Sequence, residues 1–196
     1  MDNMIAVVPH AEIKTFMKES AQKPGVYKTL YFVLAGLAGM GIGGLISYSL
    51  VVWIGGGSPA TAVQVGAGIA FGLSVLIIIH EWIHGIAYKA FGAKNVYYGG
   101  NVRQFVFYAA SDGDVLKGRQ FRIIALAPFL VVTVACLCLM VGMPQYGAAL
   151  STVLCLHTLF CGGDFLFVHF LSQHDIDRLR THDDRAKAES YFYYTD

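Results

Sequence analysis

The sequence predicts an all-α polytopic membrane protein with four transmembrane helices, on three observations. Apolar residues dominate, 56% against 14% charged in a chain of 196, which is more than an ordinary soluble domain carries. Four apolar runs, about 29–54, 60–91, 120–143 and 148–171, reach the ~20 residues that a ~30 Å hydrocarbon layer requires. The 14 Lys and Arg residues fall into three groups. Lys14, Lys18, Lys23 and Lys28 precede the first run, and Arg178, Arg180, Arg185 and Lys187 follow the last. Lys89, Lys94, Arg103, Lys117, Arg119 and Arg122 surround the middle connection, while the loops GGGSP and PQYG have none. With four crossings the three groups share one side, and the positive-inside rule makes it cytoplasmic, together with both termini.

A single membrane-embedded domain over 1–196 is therefore expected, an integral membrane protein. The apolar stretch MIAVV near the N-terminus is too short for a cleavable signal peptide, so the first run should act as its own insertion signal. Before it, Ile13, Phe16 and Met17 would form one face of an interfacial helix, or the segment is a solvated polar helix. The first run, TLYFVLAGLAGMGIGGLISYSLVVWI, has none of the polar stripe of a soluble bundle helix, and its small residues suit close helix contact in lipid.

Between the second and third runs, NVYYGGNVRQFVFYAASDGD (95–114) is rich in aromatic and β-branched residues and ends in a turn signal. It reads as one or two short strands at the cytoplasmic face, or as an irregular loop anchored in the interface by its aromatics. Pro128 should bend or loosen the third helix, and Gly162 and Gly163 the fourth, beside Asp164. Cys136, Cys138, Cys155 and Cys161 lie in the last two runs without a CxxC pair and are expected as buried free thiols. The tail Gln173–Asp196 alternates charge sign and is expected as a solvated helix or a frayed end. Its His174, Asp175, His182 and Asp183 read as polar surface.

The second run ends in LSVLIIIHEWIHGIAYKAFG, whose HEWIH is an HExxH pattern. On a helix His80 and His84 project from one face, one turn apart, and can grip a single metal ion. Glu81 stands about 100° around from His80, within reach of a water on that ion. Zinc suits imidazole ligands, acidifies water and takes a third protein ligand with one position open. A carboxylate near mid-membrane costs on the order of 3 kcal/mol, which a divalent cation would offset.

Glu81 and Asp164 are the acidic residues inside the runs. With Glu81 reserved as base, Asp164 is the candidate third ligand. Counted from the cytoplasmic ends of their runs, the motif's centre and Asp164 lie at one depth, roughly 10 Å in at ~1.5 Å per residue. His157, seven residues before Asp164 on nearly the same helical face, is an alternative ligand or a substrate-facing donor. Cys161 and His169 remain as further ligand alternatives, although His169 reads more readily as an interfacial residue at the helix end. The non-metal reading is a pair of histidines hydrogen-bonded in a helix interface, with Glu81 snorkelling to the surface.

HEWIHGIAYKAFGAK, followed some eighty residues later by GGD in a final apolar helix, resembles the small bacterial membrane-embedded zincin peptidases, a group similar in plan to the site-2 proteases. The resemblance implies His80, His84 and Asp164 as zinc ligands and Glu81 as catalytic base. It also implies that 95–108 is the strand on which an extended substrate is aligned, so Asn101 and Arg103 join His157 as candidate substrate contacts. Site-2 proteases usually carry the aspartate in an Asn- and Pro-containing motif followed by Gly, whereas CGGDFLF has Phe165 after it, and no separate peptide-binding domain is apparent.

The expected activity is zinc-dependent endopeptidase cleavage of a membrane protein or peptide within the bilayer, facing the cytoplasm, with no nucleic-acid partner. The alternatives are a metal-handling membrane protein and a silent relative that binds peptides. The second would not need to keep Glu81.

Overall fold

The computed structural model describes residues 3–104 and 106–195. In chain order the elements are β1 (Met4–Pro9), α1 (Ile13–Ser20), α2 (Val26–Ile54), α3 (Ala60–Gly72), α4 (Val75–Ala90), β2 (Val96–Asn101), β3 (Val106–Ser111), β4 (Leu116–Lys117), α5 (Gly118–Gly142), α6 (Gly147–Phe160), α7 (Gly162–Ser172), β5 (Leu179–Asp184) and β6 (Glu189–Tyr194). The all-α expectation is overturned. Strands form one antiparallel sheet in the order β1-β6-β5-β4 and a two-stranded sheet of β2 and β3. The expectation of four clean transmembrane helices is also corrected. Two helices, α2 and α5, are long and apolar enough to cross a membrane, and the number reaches four only if each of two bent pairs is one span. These pairs are α3 with α4, bent by 45°, and Pro144–Phe160 with α7, bent by 42°.

The chain divides into two compact units. One comprises Met1–Thr29, Glu81–Pro128 and Gly163–Asp196 and contains both sheets. Its core gathers Val8, Leu171, Leu179 and Phe192, with Phe16, Phe121 and Phe167 packed against them. Phe16 meets Phe170 edge-on at 4.9 Å, and Phe170 meets Phe192 at 5.2 Å. Truncating fully buried Phe192 to alanine would cost about 3–5 kcal/mol.

Several sequence expectations change within this unit. MIAVV lies in β1, paired with β6 from Met4↔Tyr193 to Pro9↔Glu189. On α1, Ile13 and Phe16 pack on the sheet core and Met17 is buried, so that face is covered by protein. The tail is neither helix nor frayed end but the β5–β6 hairpin, Asp196 lying outside the described residues. Along β5, Leu179, Thr181 and Asp183 alternate inward. His169, read as interfacial, is fully buried, and Gly25 lies so close to its ring that a Cβ there would collide with it.

The segment 95–114 is a hairpin, β2 pairing with β3 from Val96↔Ser111 to Asn101↔Val106. Phe105 lies outside the described residues. Asp114 closes the hairpin's base by accepting the Ser111 hydroxyl at 2.6 Å and the Lys94 and Asn95 amides at 2.8 and 3.2 Å. Those donors hold its carboxyl below the ordinary aspartate range. Tyr98 of β2 lies against Gly85 of α4 so closely that a side chain at 85 would collide with its hydroxyl.

The other unit comprises Leu30–His80 and Phe129–Gly162 and has no Lys, Arg, Asp or Glu. There α3 and α6 approach closely because two positions lack side chains. A Cβ on Gly68 would meet Thr152 at 2.8 Å, and one on Gly72 would meet Leu156 at 2.7 Å, the small-residue contact typical of helices in lipid. Gln64 donates to the Gln145 carbonyl at 2.9 Å, and Tyr31 to that of Leu159 at 2.9 Å. Phe32, Leu37, Met40 and Val51 of α2 are exposed, as suits a lipid-facing helix.

Candidate metal centre

HEWIH is helical within α4, so His80 and His84 are stacked one turn apart. The helix starts after the break at Leu73–Ser74, where the Ser74 hydroxyl bonds back to the Ala70 carbonyl at 2.6 Å. It ends at Gly92, whose φ of 90° favours glycine. The Ala93 and Gly92 amides donate to the carbonyls of Tyr88 and Lys89, a Schellman closure that turns the chain towards β2.

His84 is buried, and its Nδ1 lies 2.9 Å from the Ile124 carbonyl. A carbonyl only accepts, so Nδ1 carries the proton and the neutral ring keeps its lone pair on Nε2. That carbonyl is available because of Pro128. In α5 its helical partner would be the amide four residues on, and proline has none. Through Pro128 α5 still runs as one helix from Gly118 to Gly142. The missing donor is felt at Ile124.

The His84 Nε2 atom faces Asp164 Oδ1 at 3.3 Å. An imidazole lone pair opposite a carboxylate oxygen is repulsive unless a cation lies between them or the ring takes a second proton. Asp164 stands in the first turn of α7, just past the bend. Because His80 and His84 share one continuous helix, the Asp164 that meets His84 completes a ligand group with both. One ligand atom from each of His80, His84 and Asp164 falls within 4.8 Å of the others. Two imidazoles and a carboxylate suit zinc with a fourth position open, so the residues fit the metal that the motif implies. Glu81 follows His80 on the same helix.

The remaining predicted site residues are placed differently. His157 is on α6 and Asp164 on α7, with the 42° bend between them, so counting one helical face through both fails. His157 is fully buried and its Nε2 lies 3.1 Å from His80 Nδ1, where it can orient the ligand ring. Cys161 Sγ lies 3.7 and 3.8 Å from the two His157 ring nitrogens. Asn101 ends β2, and Arg103 is exposed in the turn Val102–Gln104. Neither belongs to the ligand group.

Sequence reasoning missed the Ile124 carbonyl, although a proline four residues downstream marks a helical carbonyl released from its usual bond. It also missed a second buried polar cluster at Asp183, which is buried rather than surface. Its Oδ1 accepts the Ser190 hydroxyl at 2.5 Å and its Oδ2 the Ser111 amide at 3.2 Å. His10 continues the chain, with Nε2 3.2 Å from Ser190 Oγ and Nδ1 3.2 Å from the Tyr108 hydroxyl. Burial pushes the Asp183 carboxyl up. It pushes His10 below 6.5, although Asp183 and Glu189 pull the other way.

A sequence-family profile described as putative zincin peptidase matches residues 73–177, which contain α4, Asp164 and everything between. No curated protein and no solved structure matches the chain.

Proposed function

The chain belongs to the family described as putative zincin peptidases, and from that premise we propose that it is an intramembrane zinc endopeptidase acting on membrane proteins or peptides. The convergence of His80, His84 and Asp164 beside Glu81 carries the reading. Those three would hold the zinc. When bound it would supply polarisation of a peptide carbonyl and a water acidified towards neutrality. His84 is oriented by the Ile124 carbonyl and His80 by His157. Glu81 takes the proton of the attacking water on its carboxylate and delivers it to the departing amine.

The substrate must be extended, since helical hydrogen bonds cover its carbonyls. Strand β2 is bonded to β3 alone among the described strands, and its other edge can take an extended peptide as a further strand, with Asn101 and Arg103 near one end of the added strand. The positive-inside rule supports an active side facing the cytoplasm, because every Lys and Arg lies in the unit that contains Glu81, His84 and Asp164.

The test replaces Glu81 with Gln in the full chain in membranes. Zinc content should persist while cleavage of a co-expressed membrane peptide falls about 10²–10⁴-fold, the range of a positioned general base. Unchanged cleavage would remove the proposed base, and bound zinc without cleavage by the unsubstituted chain would favour a metal-binding protein.

A further inference from the structure

The chain has a second set of metal-type donors, which overlaps the peptidase centre at His80. His157 and Cys161 are four residues apart, the spacing that in HExxH brings two side chains to one helical face. Both are fully buried, and with His80 they offer ligand atoms within 4.8 Å of one another. Tetrahedral zinc with bonds of ordinary length sets nitrogens about 3.3 Å apart and sulfur and nitrogen about 3.6 Å apart. The separations here are 3.1 Å between His80 Nδ1 and His157 Nε2, and 3.7 and 3.8 Å from Cys161 Sγ to the His157 nitrogens.

We propose that His80, His157 and Cys161 form a second, thiolate-bearing metal site that competes with the peptidase centre for His80. The competition rests on the peptidase reading for the role of His80; the donor cluster stands without it. A neutral imidazole has one lone pair, so His80 serves one ion at a time. In the metal-free cluster one hydrogen lies between His80 and His157. An incoming ion takes both of those nitrogens, so one ring moves its hydrogen to its other nitrogen. The Cys161 thiol also gives up its proton to solvent, one released per ion bound. His80 then carries its hydrogen on Nε2 and is withdrawn from the peptidase centre. Sulfur with two imidazoles favours softer ions than the His80–His84–Asp164 set, whose carboxylate is a harder donor. A soft ion such as cadmium therefore draws the enzyme into an inactive form.

Cobalt(II) titration of the purified, metal-stripped full chain in lipid nanodiscs tests this, because thiolate ligation gives a near-ultraviolet charge-transfer band that nitrogen and oxygen ligands lack. The unsubstituted chain should bind one cobalt. The band should grow at least threefold in Asp164→Asn, which weakens the competing centre, and vanish in Cys161→Ser. Visible ligand-field bands retained in Cys161→Ser would show a folded protein still holding cobalt at the other centre. A Cys138→Ser control, at an exposed thiol, should leave the band in place. No band in Asp164→Asn, or a band that survives Cys161→Ser, overturns the site. Two cobalt ions per chain, with a band indifferent to Asp164, overturn the competition. None of these readings needs cleavage, so a chain that shows the band with cobalt and yet cuts nothing with zinc held at the His80–His84–Asp164 centre would sink the peptidase reading alone.

Discussion

Two aspartates in the same unit, Asp183 buried and Asp164 half-buried, are treated in opposite ways. Asp183 is ringed by donors, the Ser190 hydroxyl and the Ser111 amide, and the chain of bonds continues through His10 to Tyr108. Protein alone satisfies it, as buried polar groups require. Asp164 instead faces the one nitrogen of His84 that the Ile124 carbonyl leaves without a proton. Acceptors turned towards each other need one positive charge between them, a proton or a metal ion. The proton inventory of its neighbours separates a structural aspartate from a candidate ligand.

The sharpest way to break this contrast is to substitute both. Asp164→Asn should lower zinc affinity by more than the ~100-fold that losing an outer partner can cost, measured by competition with a chelator. Affinity unchanged in that variant would remove Asp164 from the ligand set. Asp183→Ala should leave zinc affinity alone and destabilise the sheet by about 2 kcal/mol, because the Ser111 amide and Ser190 hydroxyl lose a buried acceptor. Denaturant unfolding and the same chelator competition, run in parallel, would expose any crossover between the two effects.

A smaller effect separates orientation from stability. Pro128→Ala restores an amide that competes with His84 for the Ile124 carbonyl, and zinc affinity should fall about tenfold. The helix itself should gain stability, since alanine is favoured over proline in a helix interior by ~3 kcal/mol. A variant that melts higher yet holds zinc less well is the expected result, and equal affinity would leave Pro128 with no part in orienting the ring.

The least effect is expected from His10. Its pKa is lowered by burial, so the unfolded chain takes up the proton first. Stability contributed by the neutral ring is complete above 6.5 and is lost as pH falls from there towards the folded value. Hydrogen exchange of β1 and β6 amides, one pH unit above and below 6.5, should show protection falling on acidification in the parent chain. That fall should be smaller in His10→Asn.

Much of the candidate metal centre was legible because helical spacing is a local rule. His80, Glu81 and His84 needed only α4 to form, and Asp164 stood out as a carboxylate in an apolar run. The sheet was hidden because the inward positions of β5 are Leu179, Thr181 and Asp183, of which leucine alone is apolar. A strand whose buried face is mostly polar gives no hydrophobic alternation, and the sheet it belongs to pairs β1 with β6 from opposite ends of the chain. His157 was misaligned because periodicity cannot reveal a 42° bend before it occurs. The aromatic hairpin was half readable, its Gly-Gly break falling inside β2 rather than at a turn.

The glycine that follows the second histidine leaves no thickness between α4 and the tyrosine of β2 above it. Adding a single methyl there would therefore act as a shim. It would lift the hairpin off the helix without touching an imidazole, and so shift the edge proposed to receive an extended peptide while the candidate ligand set is unchanged.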